Sequence, residues 1–190
     1  MMRKEQMLNE GWQLHTAGQP DWQPARVPGT VYTTLYENGR IPDPYWRDNA
    51  ETLLPLMEQD YEYRLEFDLP VGYETAPRLL LRFEGVDTLG EITLNGQLLG
   101  RTDNMHRTWE FEITGSALPR GNQLLVKLAS PLKYIRDAFA NRRCGARRTP
   151  WTASSICARP TVCSAGTGAH ICRTPVCSGR WSWWLPVHSA

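Results

Sequence analysis

Four cysteines and one histidine crowd into the stretch "SSICARPTVCSAGTGAHICRTPVCS", residues 154–178. Thiolates and imidazoles at close spacing could hold zinc, and thiols in pairs could close disulfides. Cys157, Cys163, Cys172 and Cys177 are separated by five, eight and four residues. Structural zinc sites favour two clear pairs with two to four residues between ligands. Only Cys172 and Cys177 approach that spacing, with His170 as a weak extra donor. A disulfide framework suits a secreted chain, yet no secretory leader is read here and the count of five cysteines is odd. Carboxylates are the other source of chemistry. Glu62, Glu66 and Asp68 alternate with apolar residues, the pattern of solvated charge on a wet strand face. Asp43, Asp48 and Asn49 sit in the proline-rich run "RIPDPYWRDN", where turn-making and side-chain capping are the plain explanation. His106 has no partner at catalytic spacing. Tyr45, Trp46 and Trp109 have rings that could stack on a sugar, although aromatic residues beside strands are more often core.

The elements that would position these residues come from two unlike compositions. From Cys144 to Ala190 there is no Asp, Glu, Lys, Phe, Tyr or Met, yet that stretch holds all five cysteines and four of the eight tryptophans. Globular sequence carries about 25% charged residues of both signs. The tail has five arginines and no acid, so of the chain's net +1 the tail contributes +5 and residues 1–143 contribute −4. The chain therefore divides near residue 143. No whole-chain charge points to nucleic acid or a membrane surface. No apolar run approaches the roughly 20 residues of a membrane span. The start, "MMRKEQMLNEGWQLH", lacks an apolar core, so a cytoplasmic address is the expectation.

The first part reads as strands. "YEYRLEFDL" (61–69) alternates strictly, with Tyr61, Tyr63, Leu65, Phe67 and Leu69 inward; Pro70 ends it. "RLLLRFEG" (78–85) is a second, more buried strand. "EITLNGQLLG" (91–100) is a hairpin, because Asn95-Gly96 supplies the positive φ angles of a tight two-residue turn. "TWEFEI" (108–113) places Trp109, Phe111 and Ile113 inward, and "NQLLVKLAS" (122–130) is a further strand. A short helix is expected after Pro28-Gly29, and another from Pro131, since proline suits a helix's first turn. Short strands with turn signals and little helix give an all-β fold, an antiparallel β-sandwich.

"VPGTVYTTLYENGRIPDPYWRDN" (27–49), "DYEYRLEFDLP" (60–70), "LRFEGVDTLGEITLNGQLLGRTDNMHRTWEFEIT" (81–114) and "ASPLKYIRDA" (129–138) together resemble the amino-terminal domain of β-mannosidases of glycoside hydrolase family 2. The strand and hairpin features are shared with β-galactosidases and β-glucuronidases; the "IPDPYWRDN", "TDNMHRTWEF" and "SPLKYIRD" stretches are closer to β-mannosidases. The resemblance implies a galactose-binding-like jelly-roll over residues 1–143, in front of an immunoglobulin-like domain and a catalytic (β/α)₈ barrel. It implies hydrolysis of terminal non-reducing β-D-mannose with retention, and β-mannoside sugars as partners, with no cofactor and no metal. Retention needs two carboxyl groups about 5–5.5 Å apart. In the family both are barrel glutamates, so no catalytic residue is expected in this chain. What remains are contact candidates: Arg47, Asp48 and Asn49, shaping a substrate or domain contact in the full enzyme. A free-standing carbohydrate-binding module is the rival expectation and a cysteine-rich metal or redox module a third; within the enzyme class the amino-terminal domain of a β-galactosidase or β-glucuronidase is the alternative.

The tail answers to a different reading register. The resemblance implies that a segment like G-F-x-H-L-R-K-A-x-x-M-F-G-W-D-W-G-P follows "SPLKYIRDA", and residues 144–190 show nothing like it. Ala165-Gly166-Thr167-Gly168 can be encoded GCT-GGG-ACT-GGG, which read out of step contains Trp-Asp-Trp. Extended from Thr149 to Val176, the shifted register permits A-M-D-G-F-L-H-L-R-K-A-H-C-M-F-G-W-D-W-G-P-H-L-P-D-A-G-V. Arg180 to Pro186 then permits V-E-L-V-A, an ordinary strand. A single-base frameshift between Asn141 and Arg148 is the expectation, with accidental cysteines and a disordered tail over 144–190. In the family the Trp-Asp-Trp segment reaches the mannose subsite, so that contact is lost here. Losing a strand with three inward residues, at roughly 1.5–3 kcal/mol each, would take most of a typical margin of about 5–15 kcal/mol.

Overall fold

The computed structural model describes residues 4–73, 76–141, 176–177 and 181–185. Four short strands, β1 (Lys4–Met7), β2 (Gln13–Thr16), β3 (Gln23–Pro24) and β4 (Gly29–Thr30), lead into helix α1 (Val31–Glu37). After a loop come the single turn α2 (Asn49–Thr52) and a 3-10 turn, Leu54–Glu58. Then follow β5 (Tyr61–Phe67), β6 (Leu80–Phe83), β7 (Leu89–Leu94), β8 (Gln97–Thr102), β9 (Trp109–Glu112) and β10 (Asn122–Ala129). Helix α3 (Pro131–Asn141) and two strands, β11 (Val176–Cys177) and β12 (Trp181–Leu185), complete the described elements.

The strands form a six-stranded sheet in the order β3-β2-β5-β10-β7-β8 and a four-stranded sheet in the order β1-β12-β6-β9, with β11 and β4 paired separately. Every pairing is antiparallel. This is the expected all-β sandwich, and its origin is the period-2 alternation. Along β10 the buried residues are Asn122, Leu124, Val126 and Leu128, every second position. Along β5 they are Tyr61, Tyr63 and Leu65. All of these side chains except Asn122 meet Leu81 and Phe83 of β6, with Val31 and Leu35 of α1, in one buried cluster. Phe67, Trp109 and Phe111, read as inward, pack against that cluster while staying partly exposed. At Gly100 the Phe111 ring lies so close that an added Cβ would overlap it. Only glycine lets the ring of β9 reach the backbone of β8 there.

The turns follow their residues. Asn95 and Gly96 both take positive φ, +52° and +81°, as a primed two-residue hairpin requires. Asn95 also ties the hairpin to the next loop. Its side chain donates to the Ser116 carbonyl at 2.9 Å and accepts from the Gln123 amide at 2.9 Å. Thr30 caps α1, its hydroxyl accepting from the Thr33 amide at 2.9 Å. Helix α3 begins at Pro131 after Ser130, whose buried hydroxyl donates to the Met57 carbonyl at 2.5 Å. The Ser130 amide donates to Asp60 at 2.8 Å, and Arg136 pairs with Glu58, so α3 is seated on the 3-10 turn.

The tail read as disordered over 144–190 contains two stretches that are described, and both are strands. β12 lies between β1 and β6, pairing Lys4 with Leu185 and Phe83 with Trp181. Its sequence, Trp-Ser-Trp-Trp-Leu, is rich in residues that favour strands, and the two flanking strands offer it open backbone groups on both sides. The remaining tail residues, with Cys157, Cys163, His170 and Cys172, lie outside the described residues.

Tyr61 carries a testable pH dependence. It is fully buried and its hydroxyl donates to the Leu56 carbonyl at 2.9 Å. Burial, and secondly the neighbouring Tyr32, push its ionisation well above the usual tyrosine range. The folded state therefore holds the phenolic proton after the unfolded chain has lost it. Stability is complete below the ordinary tyrosine pKa of about 10 and falls as pH rises beyond it, by up to about 1.4 kcal/mol per pH unit. Urea unfolding at a series of pH values above that point checks this, and Tyr61→Phe is expected to flatten the decline.

Candidate functional site

Arg47 and Asp48 lie on the loop between α1 and α2, and Asn49 opens α2; the loop is fastened by its own side chains. Asp43 accepts from the Tyr45 amide at 2.9 Å through a carboxylate oxygen. The Asp43 carbonyl accepts from the Trp46 amide at 3.2 Å and from the Asn49 side chain at 2.8 Å. The Asn49 amide donates to the Trp46 carbonyl at 3.1 Å, and the Leu53 amide to the Asn49 carbonyl at 3.0 Å. Tyr32 of α1 donates to the Leu53 carbonyl at 3.0 Å, holding the end of the loop to the helix. Arg47 takes a φ of +49°, a left-handed conformation that costs an ordinary residue about 1 kcal/mol or more. The surrounding hydrogen bonds hold it.

The loop displays two rings. Tyr45 is 65% exposed and Trp46 61%. The Arg47 guanidinium stands 5.6 Å from the centre of the Trp46 ring, a cation–π contact. Asp48 is exposed beside it. Of the three residues read as contact candidates, Arg47 and Asp48 face solvent, whereas the Asn49 side chain is committed to closing the loop. Arg47, Asp48 and Asn49 are thus brought together by adjacency, not by convergence of distant elements.

The other residues singled out go elsewhere. Trp109 is partly buried; its indole donates to the Asn104 carbonyl at 3.1 Å and the Arg107 guanidinium lies 4.6 Å from its ring. His106 is exposed, on a turn where its amide meets Asn104. Asp68 accepts from the Gly121 amide at 2.7 Å, as a wet-face residue bonding its neighbour loop. Among the described residues no group of three or more His, Cys, Asp or Glu could hold a metal ion. No helix among them is long and apolar enough to cross a membrane.

One cluster has no counterpart in the sequence reading. His15 of β2 is buried, with Nδ1 at 2.6 Å from the Gln19 carbonyl and Nε2 at 2.9 Å from a Glu62 carboxylate oxygen. Trp22 stacks on the imidazole at 3.9 Å between ring centres, and the Arg64 guanidinium lies 4.2 Å from the centre of the Trp22 ring. Lys127 pairs with the second Glu62 oxygen at 3.7 Å. The cluster fastens the β2–β3 edge to β5 and β10. His15 and Glu62 are 47 residues apart, so no local spacing could have joined them.

Comparison with known proteins agrees with this architecture. The family described as glycosyl hydrolase 2 galactose-binding domain-like matches residues 12–190. The β-mannosidase of Bos taurus is 31% identical over 176 residues, 93% of this chain and 19% of the relative. The β-mannosidase of Mus musculus is 32% identical over 127 residues, 67% of this chain and 14% of the relative. In the crystal structure of the β-D-mannosidase from Dictyoglomus thermophilum, a region 27% identical superposes with a TM-score of 0.90, covering 95% of this chain and 22% of that one. The chain thus spans about a fifth or less of the curated relatives it matches. Sandwich, residue span and relatives agree: the chain belongs to the galactose-binding domain-like family of the glycosyl hydrolase 2 enzymes.

Proposed function

We propose that this chain is the amino-terminal, sugar-binding-type domain of a β-mannosidase-like retaining glycoside hydrolase acting on terminal non-reducing β-D-mannose. The observation that carries the proposal is the close superposition on one part of a β-D-mannosidase, at a TM-score of 0.90 over 95% of the chain. Two carboxyl groups about 5–5.5 Å apart on a rigid frame are the least that retention demands, and the resemblance assigns both to a barrel outside these 190 residues. The chain by itself is inactive in this reading. Arg47 and Asp48 contribute to a contact of the longer enzyme, and Asn49 to the shape of the loop that bears them.

The same proposal includes the register of the tail. β12, at Trp181–Leu185, falls on the codons where the shifted text spells Val-Glu-Leu-Val-Ala, so the slot between β1 and β6 coincides with an ordinary strand in the other frame. The mannose-contacting Trp-Asp-Trp segment is absent as the chain stands.

A chromogenic β-mannoside is expected to show no turnover above buffer with the purified chain; measurable hydrolysis removed by a β-mannosidase inhibitor would overturn the inactive-domain reading. The base sequence through codons 140–190 tests the register independently. Bases that allow only the cysteine-bearing text, with stop codons in the shifted frame, would overturn it.

A further inference from the structure

Two Asn-Gly pairs occur in the sequence, Asn38-Gly39 and Asn95-Gly96. This dipeptide carries its own chemistry. The glycine amide nitrogen, with no side chain on its residue to shield it, can attack the asparagine side-chain carbon Cγ. An N–Cγ bond forms, the Cγ–Nδ2 bond breaks, and the side-chain nitrogen leaves as ammonia with the proton of the glycine amide. Water then opens the resulting succinimide at either carbonyl, giving aspartate or isoaspartate. The net change consumes water and releases ammonia. As bare sequence the two pairs are equivalent; the fold makes them unlike.

At Asn38-Gly39 the attacking nitrogen is occupied. The Gly39 amide donates to the Tyr36 carbonyl at 2.9 Å. Asn38, half-buried at the end of α1, donates from its side chain to the Thr34 and Pro24 carbonyls at 2.7 and 2.8 Å. Nucleophile and leaving group are both held. At Asn95-Gly96 the pair is exposed at the hairpin tip, and the Gly96 amide donates to none of the described residues. Its chain neighbours apart, no described atom lies within 4 Å of where a Gly96 Cβ would stand. Asn95 Oδ1 accepts from the Gln123 amide, which draws electron density from Cγ and favours attack there. Asn95 Nδ2 bonds to the Ser116 carbonyl and to Asn122 Oδ1, but the Ser116 bond lies at the exposed surface, where local opening costs least.

We infer that Asn95 is a self-modifying site of the folded domain: it loses its side-chain nitrogen where Asn38 keeps it, and the product unfastens the β7–β8 hairpin from the loop before β10. A carboxylate only accepts hydrogen bonds. One oxygen of the new aspartate can keep the Gln123 amide, while the other faces the Ser116 carbonyl and Asn122 Oδ1, acceptors themselves. Asn122 cannot answer by turning its amide over. Its oxygen and nitrogen already serve the Leu118 amide and carbonyl at 2.7 and 2.6 Å. Isoaspartate adds a main-chain carbon inside the turn that sets the Leu94–Gln97 pairing. Neither product returns to asparagine, so the change marks the age of this corner of the sandwich.

The test holds the purified chain in mildly alkaline buffer, native and in urea. Mass spectrometry follows the amide-to-acid mass gain in the peptides bearing Asn38 and Asn95. In the native state the Asn95 peptide is expected to convert at least about fivefold faster, roughly the factor that one retained hydrogen bond is worth. In urea the two rates should agree within about twofold, because the shared dipeptide then decides alone. Native rates that are equal, or faster at Asn38, would overturn the assignment. So would a native Asn95 that stays intact while the unfolded chain reacts. The unfastening is tested separately with Asn95→Asp, which should unfold at lower urea than Asn95→Ala, since alanine removes a donor without setting a charge against two acceptors. An equal or smaller loss would overturn it. If neither variant folds, limited proteolysis of the aged parent chain decides: modified molecules should be cut between β9 and β10 before unmodified ones, and cutting indifferent to the modification would overturn the unfastening.

Discussion

Trp12→Ala is expected to lower the stability of the domain by about 3–5 kcal/mol, the range for deleting a fully buried large aromatic. The ring is 2% exposed, its indole donates to the Leu8 carbonyl at 2.7 Å, and it meets Tyr63 edge-on at 6.4 Å between ring centres. Three losses coincide: the apolar area, the edge contact with β5, and the partner of a carbonyl in the segment between β1 and β2. Set against a total margin of about 5–15 kcal/mol, this is a large share. Urea unfolding followed by far-ultraviolet circular dichroism should show the midpoint falling by roughly 2 M, taking a slope near 2 kcal/mol per molar. A midpoint within experimental error of the parent would show that Trp12 is not part of a tightly packed core.

The second large effect is at a polar side chain. Asn122 is fully buried at the start of β10. Its oxygen accepts from the Leu118 amide at 2.7 Å and from the Asn95 side chain at 3.1 Å, and its nitrogen donates to the Leu118 carbonyl at 2.6 Å. Asn122→Ala removes all three bonds and leaves backbone groups of the preceding loop without them. The expected cost is about 2–4 kcal/mol, since groups left unsatisfied lose more than the bonds themselves contribute net. Asn95→Ala should be destabilising as well, and the double variant should cost less than the two single costs added, because both residues serve one network. Additive costs in urea unfolding of the three variants would show that the hairpin and the 115–122 loop are fastened independently.

Asn95 also shows where sequence legibility stops. The Asn95-Gly96 pair announces a hairpin because positive φ is a local requirement, met by local residues. The bonds from Asn95 to Ser116 and Gln123 span 21 and 28 residues, and nothing in the pair reveals them. The same divide runs through the fold. β5, β7 and β10 were readable because each has one dry and one wet face, which imposes alternation. β2, β3 and β4, two to four residues long, are too short for a period to show. β12 was hidden by composition, since a run of tryptophan and leucine without acidic neighbours reads as aberrant text before it reads as a strand.

At the candidate site the loop itself was legible from its prolines and aspartates, and Arg47 and Asp48 lie at its end, followed directly by Asn49 at the start of α2. Their division of labour was not. Asn49 closes the loop through a carbonyl six residues back, a pairing that depends on the turn's shape. Tyr45, Trp46 and Trp109 were alike in sequence, each an aromatic residue that could be core or display. The structure separates them because Trp109 lies on β9 against the cluster, whereas Tyr45 and Trp46 are exposed on the loop between α1 and α2.

The place of β12 has a consequence during synthesis. Lys4–Met7 pair with Ser182–Leu185, so β1 waits for a partner strand made more than 170 residues later. At about 5–20 residues added per second, that wait lasts roughly 10 to 35 seconds. Throughout it the leading strand carries unanswered backbone donors and acceptors. The nascent chain is therefore most open to chaperone capture along β1 until β12 arrives to fill the slot between β1 and β6.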